Sequence, residues 1–404
     1  MRKLDQILLL MIVIGLTGCS LNTPVMTEQP SVTNIQPPAV LNVITPTPAP
    51  SATATEMPTQ TATPGLPLFT DDEIKSQVDR LAATFLKSTR NPGLSIAIVT
   101  RNPQTGLLEA MLLNYGVTFK DGKQTVTSDT VYEIGSITKV FTGIMLAEAV
   151  NSGTVKLDDP IQNYLPHGVH APTYRDIPIT LSNLATHRSA LPRDSNSDNL
   201  EDLYIWLNSY QLSHAPNSQY VYSNLGYSLL GDILAQLSGS DYSTLEYQSV
   251  SQPLGLIDTS ETLSDDQRIR LAQGYRYDGS LAPYFPESGT MSSAGYLHST
   301  LTDMTRFLIA NMQPDSTPLA SSLKLAQTMQ AEGRNPGTGS GLGWEIDQPG
   351  KPNERISKGG GTPGFTSYIS FAKDGSSGFV LLSNGQYVET LVPAMVRLLS
   401  ENAK

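Results

Sequence analysis

Along residues 71–89, DDEIKSQVDRLAATFLKST, apolar side chains fall at Ile74, Val78, Leu81 and Phe85, with polar ones between them. That spacing draws one apolar stripe and predicts an amphipathic helix packed on a core. The pattern then changes. GLSIAIVTRN and EAMLLNYGVTF are short runs rich in branched and aromatic residues, separated by a loop at Pro103–Gly106, and they predict a strand pair. A second pair lies near the other end, in SYISFAKDGSSGFVLLSNG, turning at Asp374–Ser377. A closing helix follows in VETLVPAMVRLLSEN. The long stretch between the pairs is mostly helical in pattern, broken by Pro and Gly loops. No internal repeat is visible. Strands at both ends with helices between predict an α+β fold: an antiparallel sheet from both chain ends, flanked by helices, with an inserted helical lobe. A site is expected in the cleft between sheet and lobe.

The N-terminal region has a different pattern. MRKLDQILLLMIVIGLTGCS sets basic Arg2 and Lys3 before an apolar stretch, Ile7–Leu16, too short to span a bilayer comfortably. It predicts a secretory signal over residues 1–19. LTGC, residues 16–19, resembles the lipobox of bacterial lipoproteins, which implies cleavage before Cys19 and lipidation there. An ordinary signal with an incidental cysteine is the alternative. Cys19 is the only cysteine, so the chain forms no internal disulfide. Residues 20–68 are rich in Pro, Thr, Ser and Ala and predict an extended tether with a reach of at most about 150 Å. The folded domain is expected over 69–404. Its chain carries a net charge of −11, so a phosphate-neutralising face, and with it nucleic-acid binding, is not expected.

Three motifs carry candidate chemistry. In YEIGSITKVFTGIML, Ser136 stands where the pattern turns from polar to apolar, at a predicted helix N-terminus that favours developing negative charge. Lys139 follows one turn later on the same face and could take the serine proton if burial or nearby cations held its amine close to neutral. A second Ser-x-x-Lys, Ser321 to Lys324, lies in a plain amphipathic run and is expected to be structural. Of 17 tyrosines only Tyr222 begins Tyr-x-Asn. Its phenol could trade protons beside a lysine, and Asn224 could offer its amide to a substrate or to Lys139. The third motif is SKGGGTPGF: Lys358 and the glycines after it, expected just before a strand, would line a cleft edge with a cation and bare backbone N–H groups. A phosphate loop has its lysine after the glycines, so this is not one.

Other polar groups are expected to be structural. Ser197–Asn199 reads Ser-Asp-Asn, but inside a polar loop and without a companion Glu-x-x-Leu-Asn segment. His187 is expected to be a structural hydrogen-bonding residue and Trp344 a packing one. Asp158 and Asp159 should cap a turn. His167 and His170 have no evident third ligand, so neither a metal site nor a cofactor is expected.

Together the three motifs resemble the class C β-lactamase-like serine hydrolases and penicillin-binding proteins, a likeness running from about Asn91 to Asn384. It extends to TLSNLATHRSALPR, PLGLIDT, SSAGYLHSTLTDMTRFL, GLGW and GTPGFTSYISF. Ser189-Ala190-Leu191 resembles the D-alanyl-D-alanine carboxypeptidase/endopeptidase branch. The resemblance implies a β-lactamase/transpeptidase-like fold with Ser136 as acylated nucleophile, Lys139 as its partner and Tyr222 as general base and acid. Asn224, Lys358 and Gly360 would bind substrate, and the N–H groups of Ser136 and Gly361 would form the oxyanion hole. Gly359 departs from the family's usual Thr or Ser, which weakens the case for efficient β-lactamase action. The implied function is a membrane-anchored, extracytoplasmic hydrolase of peptidoglycan stem peptides or small acyl substrates, with β-lactams as acylating ligands. A β-lactamase or esterase on the same chemistry, and a non-catalytic penicillin- or muropeptide-binding lipoprotein, are the alternatives.

Overall fold

The structure, a computed structural model, describes residues 65–402 apart from 196, 198 and 288. The expected signal, Cys19 and nearly all of the expected tether lie outside those residues. Pro67 and Leu68, grouped with the tether on composition, run beside the strand at 108–116: the Ala110 N–H donates to Pro67 and the Phe69 N–H to Ala110.

The first helix, α1 (Asp72–Thr89), starts where the Asp71 carboxylate accepts the Ile74 N–H. It buries Ile74, Val78, Ala82 and Phe85, so Ala82 takes the place expected for Leu81. Strands β1 (Gly93–Arg101) and β2 (Leu108–Gly116) form the first hairpin. After β3 (Val131–Glu133) comes α2 (Thr138–Asn151), apolar all round and buried from Thr138 to Ala147. The inserted lobe contributes α3 (Asn224–Ser238), followed by β4 (His298–Thr300) and α4 (Leu301–Met312). Then come α5 (Ala320–Ala326) and the short strands β5 (Ala331–Glu332), β6 (Thr338–Ser340) and β7 (Glu345–Asp347). The chain closes with β8 (Arg355–Gly361), β9 (Thr366–Ala372), β10 (Ser377–Ser383) and α6 (Val392–Asn402).

Eight strands form one antiparallel sheet in the order β2-β1-β10-β9-β8-β7-β6-β5. The two expected hairpins meet in its first half, where β1 pairs with β10 from Leu94↔Ser383 to Thr100↔Ser377. Both faces of β1 are covered, which explains why its residues from Gly93 to Val99, Ser95 aside, are apolar and all buried. Leu94, Ile96 and Ile98 join Phe85, Phe379 and Leu398 in the layer under α1 and α6. Ala97 and Val99 belong to the larger core on the opposite face, with Phe141, Leu230 and Phe307. There Phe141 stacks on Phe307 at 4.4 Å, and the Trp344 ring closes on Phe307 and Phe371. Trp344 is thus a packing residue. The α+β organisation read from the pattern is the observed one, and β5 to β8 extend the sheet beyond the four strands expected. The segment from Lys358 to Phe365 leads into a strand, β9, as expected, but its glycines themselves lie within another, β8. Among the described residues no helix is long and apolar enough to cross a membrane.

Candidate active site

Ser136 sits in a 3-10 turn, Gly135–Ile137, that leads straight into α2. Its N–H therefore belongs to a first helical turn, where no carbonyl of the helix reaches it. Lys139, one turn on, is fully buried. Its Nζ donates to Ser136 Oγ at 3.2 Å, to Asn224 Oδ1 at 2.9 Å and to the Ala294 carbonyl at 2.5 Å. None of those partners is a carboxylate. Burial, then the charges of Lys358 and Arg193, hold the ammonium down at about 8, against the pull of the Tyr222 oxygen.

Tyr222 arrives from the other side, two residues ahead of α3. The N-cap of that helix is Ser223, whose Oγ accepts the Gly226 N–H. The Tyr222 hydroxyl meets Ser136 Oγ at 2.7 Å. Burial on its own would raise this phenol. Lys139 and Lys358, together with the bond to Ser136, outweigh it and bring the group to about 8. Three cations face its ring: Lys139 at 5.0 Å, Arg193 at 5.1 Å and Lys358 at 5.4 Å from the centroid. Asn224, the first residue of α3, spends both ends of its amide, because its Nδ2 donates to Asp194 at 2.7 Å. It thus orients Lys139 in the free protein.

Lys358 is 2% exposed, and its ammonium donates to Glu345 Oε1 at 3.1 Å. Burial pulls its pKa down, but Glu345 and the surrounding tyrosine oxygens together hold it well above the usual lysine value. It is a permanent cation. The register fixes the backbone beyond it. Thr362 N–H closes the β8–β9 hairpin on the Phe365 carbonyl, so Gly361, opposite Thr366, is a non-hydrogen-bonded pair whose N–H points away from β9. On that outer side β7 pairs only as far as Ser357. The edge of β8 from Gly359 to Gly361 is therefore open.

Gly135 makes the two halves meet. Its φ is +52°, and a Cβ there would lie 2.6 Å from the Gly361 nitrogen. Only glycine lets the serine turn press this closely against β8 beside the Gly361 backbone. Gly360 is equally confined, its absent Cβ falling 2.1 Å from the Ile134 carbonyl oxygen, whereas one on Gly359 would lie 3.4 Å from the Tyr368 ring.

The structure thus gathers Ser136, Lys139, Tyr222, Asn224, Lys358, Gly360 and Gly361. It leaves the decoys apart from them. Ser321 is exposed on α5, and Lys324 there pairs with Asp315. Asn199 caps a helix at 200–209 by accepting the Asp202 N–H, and Asp198 is outside the described residues. Asp159 accepts the Lys156 N–H and the Tyr164 hydroxyl, as expected of a turn. His167 and His170 are exposed, and no metal-binding cluster of acidic, His or Cys residues occurs among the described residues. The Ala294 carbonyl, Asp194, Arg193 and Glu345 were not singled out from the sequence. Ala294 lies inside SSAGYLHSTLTDMTRFL, but a backbone acceptor has no side-chain signature.

Comparison with known proteins bears on this arrangement. A family model described as Beta-lactamase matches residues 78–402. The chain is 33% identical over 327 residues to the D-alanyl-D-alanine-carboxypeptidase/endopeptidase AmpH of Escherichia coli, covering 74% of this chain and 82% of that protein. It is 28% identical over 349 residues to a Beta-lactamase of Pseudomonas fluorescens, covering 78% and 94%. A solved class C beta-lactamase superposes with a TM-score of 0.73 at 25% identity, over 81% of this chain and 96% of that one.

Proposed function

The chain belongs to the beta-lactamase family and is a serine hydrolase of it; from that premise we propose that it cleaves D-Ala-D-Ala peptide bonds of peptidoglycan stem peptides through an acyl-Ser136 intermediate. The observation that carries this reading is Ser136 Oγ held between the Tyr222 hydroxyl at 2.7 Å and Lys139 Nζ at 3.2 Å. As Oγ bonds to the substrate carbonyl carbon, its proton passes to the Tyr222 oxygen, whose basicity Lys139 and Lys358 tune. The N–H groups of Ser136 and Gly361 take the charge of the tetrahedral oxygen. When the C–N bond breaks, Tyr222 gives the proton to the departing amine. A water then attacks the ester carbonyl, yields a proton to Tyr222, and the Ser136 oxygen leaves carrying it.

Two features support a peptide substrate. The open edge of β8 offers backbone groups to an extended chain, in the manner of an added strand. Lys358 supplies a permanent cation for a carboxylate, although Gly359 brings no hydroxyl to help it. One lost hydrogen bond to a charged group is worth roughly 1.5–3 kcal/mol, or one to two decades in kcat/KM. Weak β-lactam turnover is therefore expected. The test incubates the purified protein with a reporter penicillin, with nitrocefin and with D-Ala-D-Ala muropeptides, following acylation by intact mass and product release by chromatography. Release of D-alanine with slow nitrocefin turnover supports the reading. A nitrocefin kcat/KM of about 10⁶ M⁻¹s⁻¹ would replace it with a β-lactamase.

The proposed setting is extracytoplasmic, on a bacterial membrane, with Cys19 lipidated and residues 20–66 as tether. The support is the LTGC motif after an apolar leader. Cys19→Ala should move the protein out of the membrane fraction or leave it unprocessed. Normal processing and retention in that variant would count against the anchor.

A further inference from the structure

We propose that His187 is the positioning residue of Tyr222: it clamps the backbone on both sides of the tyrosine and packs its ring against the phenol. The proposal rests on the reading of Tyr222 as general base. The Val221 N–H donates to the His187 carbonyl at 2.8 Å, and the Ser223 N–H donates to His187 Nδ1 at 3.1 Å. Tyr222 lies between those two bonds. The imidazole also rests on the Tyr222 ring, with centroids 4.2 Å apart and planes 32° from parallel. Tyr220 and Tyr227 enclose it further at 5.5 and 5.2 Å.

Three details set this histidine apart from ordinary core packing. Its φ is +60°, a left-handed conformation that strains a non-glycine residue and persists only where the surroundings demand it. Its Nδ1 accepts a hydrogen bond, so the neutral ring carries its proton on Nε2, and that buried atom has no hydrogen-bond partner. Burial and the charges of Lys358, Lys139 and Arg193 hold the imidazole well below its usual pKa. The clamp is thus electrically neutral throughout the working range and adds no fourth cation beside the phenol.

What the clamp fixes is a distance. Tyr222 is kept low in pKa by Lys139 on α2 and Lys358 on β8, with the bond to Ser136, and Arg193, in the loop ahead of the helix at 200–209, also faces its ring. Among the described residues, Asp194 reaches this site through Asn224 and through Arg193, with which it pairs at 3.4 Å, and Glu345 reaches it through Lys358. Letting residues 221–223 drift takes the phenol away from Ser136 and from its cations together. A loosened tyrosine is therefore both misplaced and too weakly acidic.

The experiment uses the full chain with a chromogenic ester. His187→Gly accepts the positive φ but loses the Nδ1 acceptor and the ring, while His187→Asn tolerates that φ and keeps an acceptor at the same position. We expect His187→Gly to lose about 10- to 100-fold in kcat with KM nearly unchanged, the cost of displacing a reacting group by about an ångström. The acid limb of its pH profile should move from about 8 toward the free-tyrosine value near 10. His187→Asn should recover both. A merely structural histidine would lower Tm and leave the limb in place, and that result overturns the proposal. Should the glycine variant not fold, His187→Ala, which lacks the acceptor and takes a φ that Ala190 also holds, replaces it and the same limb decides. Tyr222→Phe separates the two readings. If that variant keeps the wild-type rate and profile, the general-base reading fails and the proposal with it. If it loses them while the His187 variants do not shift the limb, only the clamp is wrong.

Discussion

Lys139 and Lys358 are equally buried, yet their environments send them in opposite directions. Lys139 meets a carbonyl, an amide and a hydroxyl and falls to about 8, whereas Lys358 meets the Glu345 carboxylate and stays charged. One can exchange protons and the other can only attract. Tyr222 also stands at about 8, so the pair titrates as one unit. A base must shed its proton before it can act, so kcat/KM for an uncharged ester should rise with pH through about 8 and fall tenfold per unit below it. A flat profile from pH 6 to 9 would contradict this. Tyr222→Phe should cost about 10²- to 10⁴-fold in turnover. Ser136→Ala should abolish the penicillin adduct seen by intact mass, and Ser321→Ala should leave it. The five side chains of the three motifs could be read because each sits at a fixed spacing in a short motif. Their partners could not: Ala294 offers only a carbonyl, and Asp194 and Glu345 reach the site through the fold. His187 could be read as a hydrogen-bonding residue, but its two bonds to the segment around Tyr222 are a tertiary fact.

At the scale of elements, the hairpins β1–β2 and β9–β10 and the helices α1 and α6 follow from periodicity, because each buries a long apolar face. Strands β5, β6 and β7 have only two or three residues each, too few to show alternation, and β8 reads RISKGGG. Those glycines look like a turn until the packing explains them. The explanation makes neighbouring substitutions behave differently. Gly360→Ala puts a methyl 2.1 Å from the Ile134 carbonyl oxygen and should force β8 off the serine turn. We expect a loss of about 1–3 kcal/mol in stability, as for other overpacked sites, and loss of acylation. Gly359→Thr meets only the Tyr368 ring at ordinary contact distance and should fold normally. Thermal melts of the two variants, read beside penicillin labelling, check the contrast. Equal melts would mean that β8 yields more easily than its packing suggests.

Over the whole molecule, stability responds to pH through groups far from catalysis. Glu246 is fully buried, accepts the Ser251 hydroxyl at 2.5 Å, and burial pushes its carboxyl up to about 8. Its folded pKa is raised, so its contribution is complete below the unfolded value near 4.5 and is lost as pH rises through 8. Glu246→Gln should therefore match the wild-type melting temperature near pH 4.5 and exceed it at pH 9. An identical gap at both pH values would refute that account. The sheet has a consequence of another kind. Its second and third strands pair β1 with β10, and Gly93 and Ser383, which share a hydrogen bond there, lie 290 residues apart. A chain emerging from its N-terminus makes β1 almost first and must wait for nearly everything else before that strand gains its second neighbour. Until then an apolar strand edge stays bare, open to mispairing with other chains. Synthesis stopped at residue 376 would never cover it, although Ser136, Lys139, Tyr222 and Lys358 would all be present. Residues 377–404 hold none of the site residues, yet β10 among them supplies the strand that closes the sheet over β1.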